Sequence, residues 1–296
     1  MKEDVEHPRA TANSRAADRP DPPAVGFLFA IALVAAVVAA APCGGVEPAV
    51  GPADGRWVDL THPFDDRTIF WPTERGFVLE RGPAGVTPKG YYYAANRFAT
   101  AEHGGTHLDA PRHFAAAGAT AENVPLDRLL GAAAVVDVTQ RCALDPVYEV
   151  TPDDLVAWER KHGRQLVDVI LLIDTGWANR WDDRAAYLGT PATGPAAVEK
   201  LRFPGLAAAA ARWLVDHRRI RAVGIDTASI DHGPSRRFEA HVTLLGAGVP
   251  VFENVGRLAE LPPTGAFVAA LPMKIAGGSG GPLRIVARLP AAAPER

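Results

Sequence analysis

Residues 103–113 read His103-Gly104-Gly105-Thr106-His107-Leu108-Asp109-Ala110-Pro111-Arg112-His113, and the paired glycines decide which backbone carries the histidines. His103 and His107 are four apart, a spacing that would align them on a helix, but Gly104-Gly105 between them disfavours one. A tight loop running into an extended segment is expected instead. In extended backbone His107 and Asp109 project to one side, so both can reach a single ion. Pro111 keeps Ala110 out of the helical region and holds the chain extended or turning, which delivers His113 to the same pocket. Nine histidines in 296 residues put about a third of one in such a window by chance. Three, with an aspartate, make the N/O donor set of a catalytic metal site. Two imidazoles and a carboxylate leave a coordination position open for water, and His113 is free for proton transfer.

Outward from this segment, short runs rich in apolar and β-branched residues recur as strand candidates: Trp57–Leu60, Phe77–Leu79, Tyr91–Phe98, Ala132–Val138, Val167–Ile173, Ala222–Ile225, Val249–Glu253, Ala266–Leu271 and Leu283–Leu289. Between some of them lie helical patterns. Thr151–Trp158 has a Thr at the N-cap, Pro in first position and acids in the first turn. Pro204–Arg218 and the shorter Phe238–Leu245 are the others. Strands and helices alternate only in the second half, which predicts one α/β domain with a mixed β-sheet core and flanking helices.

With 48% hydrophobic and 22% charged residues the chain can bury a full core. A net charge of −3, without a Lys/Arg block interleaved with aromatics, speaks against nucleic acid as a partner. Cys43 and Cys142 are the two cysteines, too few for a disulfide framework or a Cys-based zinc site, so a metal must sit on His and carboxylates.

Residues 24–41 form an uncharged run of 18, preceded by a stretch carrying Lys2, Arg9, Arg15 and Arg19 and followed by Pro42-Cys43-Gly44-Gly45. Residues 1–45 are therefore expected to be an N-terminal export signal peptide or a membrane anchor. Small residues before Cys43 resemble a lipoprotein signal, from which Pro42 departs. Residues 46–56 read as a Pro/Gly/Ala-rich linker and 57–296 as the working domain, exported to the periplasm or beyond.

The 103–113 stretch resembles the signature of the bacterial cyclase-like metal-dependent hydrolases, of the kynurenine formamidase and isatin hydrolase type. Further matches are Val58-Asp59-Leu60-Thr61-His62-Pro63, Phe70-Trp71-Pro72, residues 224–231 (Gly-Ile-Asp-Thr-Ala-Ser-Ile-Asp), His241 with Glu253-Asn254, and Leu271-Pro272-Met273-Lys274-Ile275. The resemblance implies a swivelling β/β/α fold and a homo-oligomer. It implies that His103, His107 and Asp109 hold one ion and that Asp109 bridges to a second at His241 and Glu253. One or two divalent ions are expected, zinc first and manganese as the alternative. His113 is implied as proton donor and acceptor, and Trp71 as a wall of the substrate pocket. Pro72-Thr73-Glu74 departs from the Pro-Gly-Asp common in formamidases, so substrate preference does not carry over. Read without the resemblance, His241 is more simply a core histidine of an apolar helix and Glu253 a strand terminus, although a buried carboxylate there needs a partner.

The expected reaction is hydrolysis of a small amide or lactam, an aryl formamide or an isatin-like ring, by metal-activated water with His113 as general acid/base. Trp71 and Phe70 are candidates for an aromatic wall, with the Tyr91–Tyr93 run a lesser one, since the tyrosines read more simply as strand residues facing core and solvent alternately. His62 is a candidate neighbour of the site, and Asp226, Ser229 and Asp231 candidates for lining it or orienting ligands. Two rival functions use the same residues: an exported metal-containing binding protein without turnover, and a cyclase or dehydratase. Gly277-Gly278-Ser279-Gly280-Gly281 fits G-x-S-x-G, but no His follows Ser279, so a flexible loop is expected there.

Overall fold

The computed structural model describes residues 55–290. Its main sheet has eight strands: β1 (Trp57–Asp59), β2 (His107–Asp109), β3 (Leu130–Asp137), β4 (Ile170–Asp174), β5 (Ala222–Ile225), β6 (Val251–Glu253), β7 (Thr264–Pro272) and β8 (Gly280–Arg288). Their spatial order is β1-β8-β7-β3-β4-β5-β6-β2, and β2 also pairs back onto β8, closing seven of them into a barrel-like ring. Neighbours from β3 to β6 run parallel, while β1, β2, β7 and β8 pair antiparallel. The mixed sheet and the single α/β domain agree with the strand and helix pattern of the sequence.

Strand β4, Ile170-Leu171-Leu172-Ile173-Asp174, is buried throughout, as a parallel strand covered on both faces must be. Ile170 and Leu172 face the ring interior with Leu108, Phe252, Val268 and Ile285. Leu171 and Ile173 face outward, against helices α1 (Pro152–His162), α2 (Ala208–His217) and α3 (Glu239–Gly246), whose Leu155, Trp158, Leu214 and Leu244 share that layer. Each such side chain contributes roughly 1.5–3 kcal/mol by leaving water.

Helix α1 starts as its sequence predicts. Thr151 Oγ1 accepts the Asp154 N–H at 3.3 Å and Asp154 Oδ2 accepts the Thr151 N–H at 2.8 Å, a reciprocal cap, and Gly163 ends the helix at φ 60°.

Two expectations are corrected. Tyr91–Phe98 is not one strand, because the Asn96 side chain accepts the Gly82 N–H and interrupts the ladder. Tyr92–Ala94 pairs with Ala84–Val86 and Arg97–Ala99 with Val78–Glu80, giving a two-stranded arm whose strand residues are all exposed. Residues 204–218 are not all helix: Gly205–Leu206 pairs with Glu149–Val150, and α2 begins at Ala208. The expected export segment, the linker up to residue 54 and Cys43 lie outside the described residues. No helix among the described residues is long and apolar enough to cross a membrane.

Candidate metal centre

The register around β2 assembles the centre. His107 stands directly opposite Glu253 across β2 and β6, and Asp109 opposite Val251, so His107, Asp109 and Glu253 share one face while Leu108 and Phe252 point into the core. On its other edge β2 pairs with Gly280–Pro282 of β8. Helix α3 lies over the polar face and supplies His241. The chain then turns at Pro111–His113 in a short 3₁₀ helix, as Pro111 requires, which carries His113 back to His103. Gly105 sits at φ 58°, and a Cβ there would stand 2.5 Å from the Phe64 ring, so the loop before β2 depends on glycine.

All the imidazoles except His113 are held from outside. His107 Nδ1 lies 3.0 Å from the Gly105 carbonyl, which obliges it to donate there. His241 Nδ1 donates to Asp231 Oδ2 at 2.7 Å. Ser279 gives its hydroxyl hydrogen to Glu102 Oε2 at 2.6 Å, so His103 Nε2, 2.8 Å from Ser279 Oγ, must be the donor of that pair. These bonds turn the remaining lone pairs inward. His103 Nδ1 lies 2.6 Å and His107 Nε2 3.1 Å from Asp109 Oδ1. His241 Nε2 lies 3.2 Å from Asp109 Oδ2 and 3.1 Å from Glu253 Oε1. Three imidazole lone pairs converge on two buried carboxylates, of which Glu253 Oε1 also accepts the Ile230 N–H at 2.7 Å, and the contacts between lone pairs and carboxylates need added protons or a cation. Protons on the histidines or a metal ion meet that demand, and the outward bonds are those that orient metal-ligating histidines. Donor atoms of His107, Asp109 and Glu253 lie within 4.8 Å of one another, as do those of His103, Asp109 and His113.

The titration behaviour follows from the same geometry. Burial works against charge on His107, but Asp109 and Glu253 outweigh it and hold the imidazole up to about 9. Burial likewise opposes His241, yet Asp109, Asp231 and Glu253 keep it well above its ordinary value. Asp109, though buried, is held well below the carboxylate range by the histidines around it. Burial, with the Asp109 charge beside it, pushes Glu253 up. His113 behaves differently: burial lowers it to about 4. Its ring stacks on His103 at 3.7 Å, and among the described residues none hydrogen-bonds its nitrogens.

A cavity of about 470 Å³ opens on this cluster, a size suited to a small ligand. Its walls include Ile69, Phe70, Trp71, Phe114, Phe238, His103, His107, Asp109, His113, His241 and Glu253. The six residues expected as metal ligands or proton carrier, with Trp71, therefore meet in one cavity, which Phe70 and Ser229 also line. Trp71 packs edge-on to Phe203 at 6.5 Å and tilted to Phe238 at 6.2 Å. Tyr91, Tyr92 and Tyr93 are exposed on the arm and form neither the wall nor the core; Phe114 and Phe238 complete the wall instead. His62 stacks on Trp181 at 4.0 Å and lies outside the cavity. Asp226 caps the turn after β4 through Thr175 and Ala178, whereas Asp231 orients His241. Residues 277–281 are not merely a flexible loop: Gly280 and Gly281 open β8, and Ser279 touches His103. Glu102 was legible only as the acid before His103, and Phe114 only as an aromatic after His113.

The chain is similar to known proteins of one family. The family described as "Putative cyclase" matches residues 58–232. Isatin hydrolase from Roseibium aggregatum is 30% identical over 211 residues, covering 69% of this chain and 78% of that protein. Kynurenine formamidase from Paracidovorax citrulli is 32% identical over 201 residues, covering 65% and 79% respectively. The structure of isatin hydrolase A from Labrenzia aggregata bound to benzyl benzoate superimposes with a TM-score of 0.71 at 32% identity, covering 79% of this chain and 94% of that one.

Proposed function

The chain belongs to the cyclase family of hydrolases, and from that membership we propose that it hydrolyses a small aromatic amide or lactam with one or two divalent ions. His103, His107 and Asp109 would hold the first ion, and Asp109, His241 and Glu253 would hold a second. The observation that carries this reading is the convergence of three inward lone pairs on Asp109 and Glu253, each imidazole being bonded outward to a different acceptor. Zinc suits the imidazole-rich set, with manganese as the alternative.

A divalent ion bound there supplies a water whose pKa falls towards roughly 7 and polarises a carbonyl drawn close to it. The chain's own residues do the rest. His113, lowered to about 4 by burial and with neither nitrogen hydrogen-bonded among the described residues, takes a proton from the attacking water and returns it to the leaving nitrogen. Trp71, Phe70, Phe114 and Phe238 hold the aryl ring and keep bulk water off it. Gly105, Asp231 and Ser279 fix the imidazole orientations.

Metal analysis of the purified protein, with a hydrolysis screen of N-formylkynurenine, isatin and related amides under zinc and manganese, tests the proposal. A product heavier by one water separates hydrolysis from cyclisation or dehydration, and a loaded but inert protein is a binding protein. His113→Ala is expected to lower kcat/KM by about 10²–10⁴-fold with the metal retained, and Asp109→Ala to lose the metal. Near-normal turnover in His113→Ala sinks its assigned role, and metal loss there makes it a ligand.

We also propose a homo-oligomer, supported by the arm that exposes Val86, Tyr92 and Phe98, and export, supported by the apolar run at residues 24–41. Light scattering and cell fractionation test these two readings.

A further inference from the structure

The cavity combines an apolar wall with a one-signed rim. Among the described residues that line it, none is Lys or Arg, while Glu74 and Glu102 both do so. Glu74 stands one turn beyond Trp71, its N–H donating to the Trp71 carbonyl at 2.9 Å, and its side chain is exposed. It has no ion-pair partner among the described residues, and Arg75 beside it does not line the cavity. Glu102 is one-third exposed; it accepts from the Ser279 hydroxyl and N–H, and His103 Nε2 stands 3.9 Å from its Oε2, so of the two rim carboxylates Glu74 is the one without an ionisable partner among the described residues. The arginines nearest in sequence to Phe238 are occupied elsewhere, Arg236 with Glu199 and Arg237 with Glu239.

We infer that this rim makes the site selective for uncharged or amine-bearing aryl amides and lactams against carboxylate-bearing ones, with Glu74 the principal discriminator. The inference rests on the hydrolase reading above and adds the charge of the substrate. A carboxylate on the far end of an aryl ring held by Trp71 and Phe238 meets two glutamates and no cation of the rim. An ammonium group in that place meets Glu74, which has no ion-pair partner among the described residues, and Glu102, which it shares with His103. The charge balance of the reaction points the same way. Water adds across the C–N bond, the carbonyl carbon gains oxygen and the nitrogen gains hydrogen, so a neutral amide and water give a carboxylate, a neutral aryl amine and one proton released to solvent. In a lactam both stay on one ring, and the new anion is repelled towards solvent by the rim its neutral precursor passed. The preference is electrostatic and therefore weakens with salt.

The test compares para-aminomethyl and para-carboxymethyl formanilides with unsubstituted formanilide on the metal-loaded full chain. At low ionic strength kcat/KM for the cation is expected to exceed that for the anion by about tenfold or more. The ratio should shrink towards one in high salt and in Glu74→Gln, and reverse in Glu74→Lys. Equal rates for the pair, or a ratio indifferent to Glu74→Gln, overturns the inference while leaving the hydrolase reading intact. If unsubstituted formanilide and neutral lactams are all inert with metal bound, the hydrolase reading fails instead. The charge preference is then decided by calorimetric binding of the same charged pair, equal affinities overturning it.

Discussion

Ser279 Oγ lies 2.8 Å from His103 Nε2, on the opposite edge of the imidazole from Asp109, whose Oδ1 is 2.6 Å from Nδ1. Serine, histidine and aspartate thus stand in the order of a hydrolytic triad, yet the proton inventory gives them another use. The hydroxyl hydrogen goes to Glu102, and Ser279 does not line the substrate cavity. Ser279 is a positioning residue: it fixes the His103 tautomer so that Nδ1 presents its lone pair to the centre.

Ser279→Ala is therefore expected to fold normally and to weaken metal binding by about tenfold or more, measured by competition with a chromogenic chelator. Ser279→Thr, which keeps the hydroxyl, should recover most of that loss. A serine-directed phosphonate should leave activity untouched. Inactivation by the phosphonate with unaltered metal affinity in Ser279→Ala would restore the nucleophile reading.

Asp231 carries two tasks that one substitution exposes together. Its Oδ1 accepts the Ala240 N–H at 3.0 Å and its Oδ2 the His241 N–H at 3.1 Å, capping α3, while Oδ2 also accepts from His241 Nδ1 at 2.7 Å. Asp231→Ala should cost about 1–2 kcal/mol from the lost cap, read by denaturant unfolding. It should also weaken metal binding, because His241 loses its outer partner. Asp231→Asn keeps the acceptor oxygen and is expected to retain the larger part of the stability.

How much of this was legible in the sequence depends on whether the signal was local. The extended geometry of His107 and Asp109 followed from Gly104-Gly105 and from alternation, and β2 has that geometry. Pro111 foretold the turn that brings His113 back. Ser279 was not legible as a neighbour of His103, since the two are 176 residues apart and meet only because β8 pairs with β2. Nor did Tyr91–Tyr93 reveal their exposure: three tyrosines fit a half-buried strand as well as an arm, and only the Asn96 interruption decides between them. His241 and Glu253 needed the family spacing, because an apolar helix and an apolar strand accept them equally as core polar residues.

Asp174 predicts a pH dependence of stability. Burial, with the charge of Asp226 added, raises its carboxyl from 3.8 to about 7. A carboxyl raised in the folded state binds its proton more tightly there than in the unfolded chain. Its contribution is fully present below the unfolded value near 3.8 and is lost as pH rises through about 7. Asp174→Asn, which keeps the acceptor for the Gly176 N–H, should raise stability at pH 8 by roughly 1–3 kcal/mol and leave it nearly unchanged at pH 4. Urea unfolding at the two pH values measures this; equal gains at both place the effect in packing rather than in charge.

Gly280 joins the fold to the site at one backbone position. It pairs with Asp109 across β8 and β2, and the Ser279 carbonyl accepts the Ala110 N–H at 2.9 Å, so the strand cannot retreat without breaking its ladder. A Cβ added there would collide with the Leu108 carbonyl and stand 2.6 Å from His103 Cε1. Gly280→Ala must therefore either part the strands or push the His103 ring off Asp109. Overpacking of this kind costs about 1–3 kcal/mol, and the displaced ring should take metal affinity with it. Leu108→Ala provides the contrast, because Leu108 is fully buried on the core face of the same strand. It should lose about 2–5 kcal/mol while metal affinity in native buffer falls much less, since His107 and Asp109 point the other way. Thermal melts with and without metal separate the two: the metal-induced rise in Tm should survive in Leu108→Ala and shrink in Gly280→Ala. An undiminished rise in Gly280→Ala would mean that the collision relaxes through the strand and not through His103.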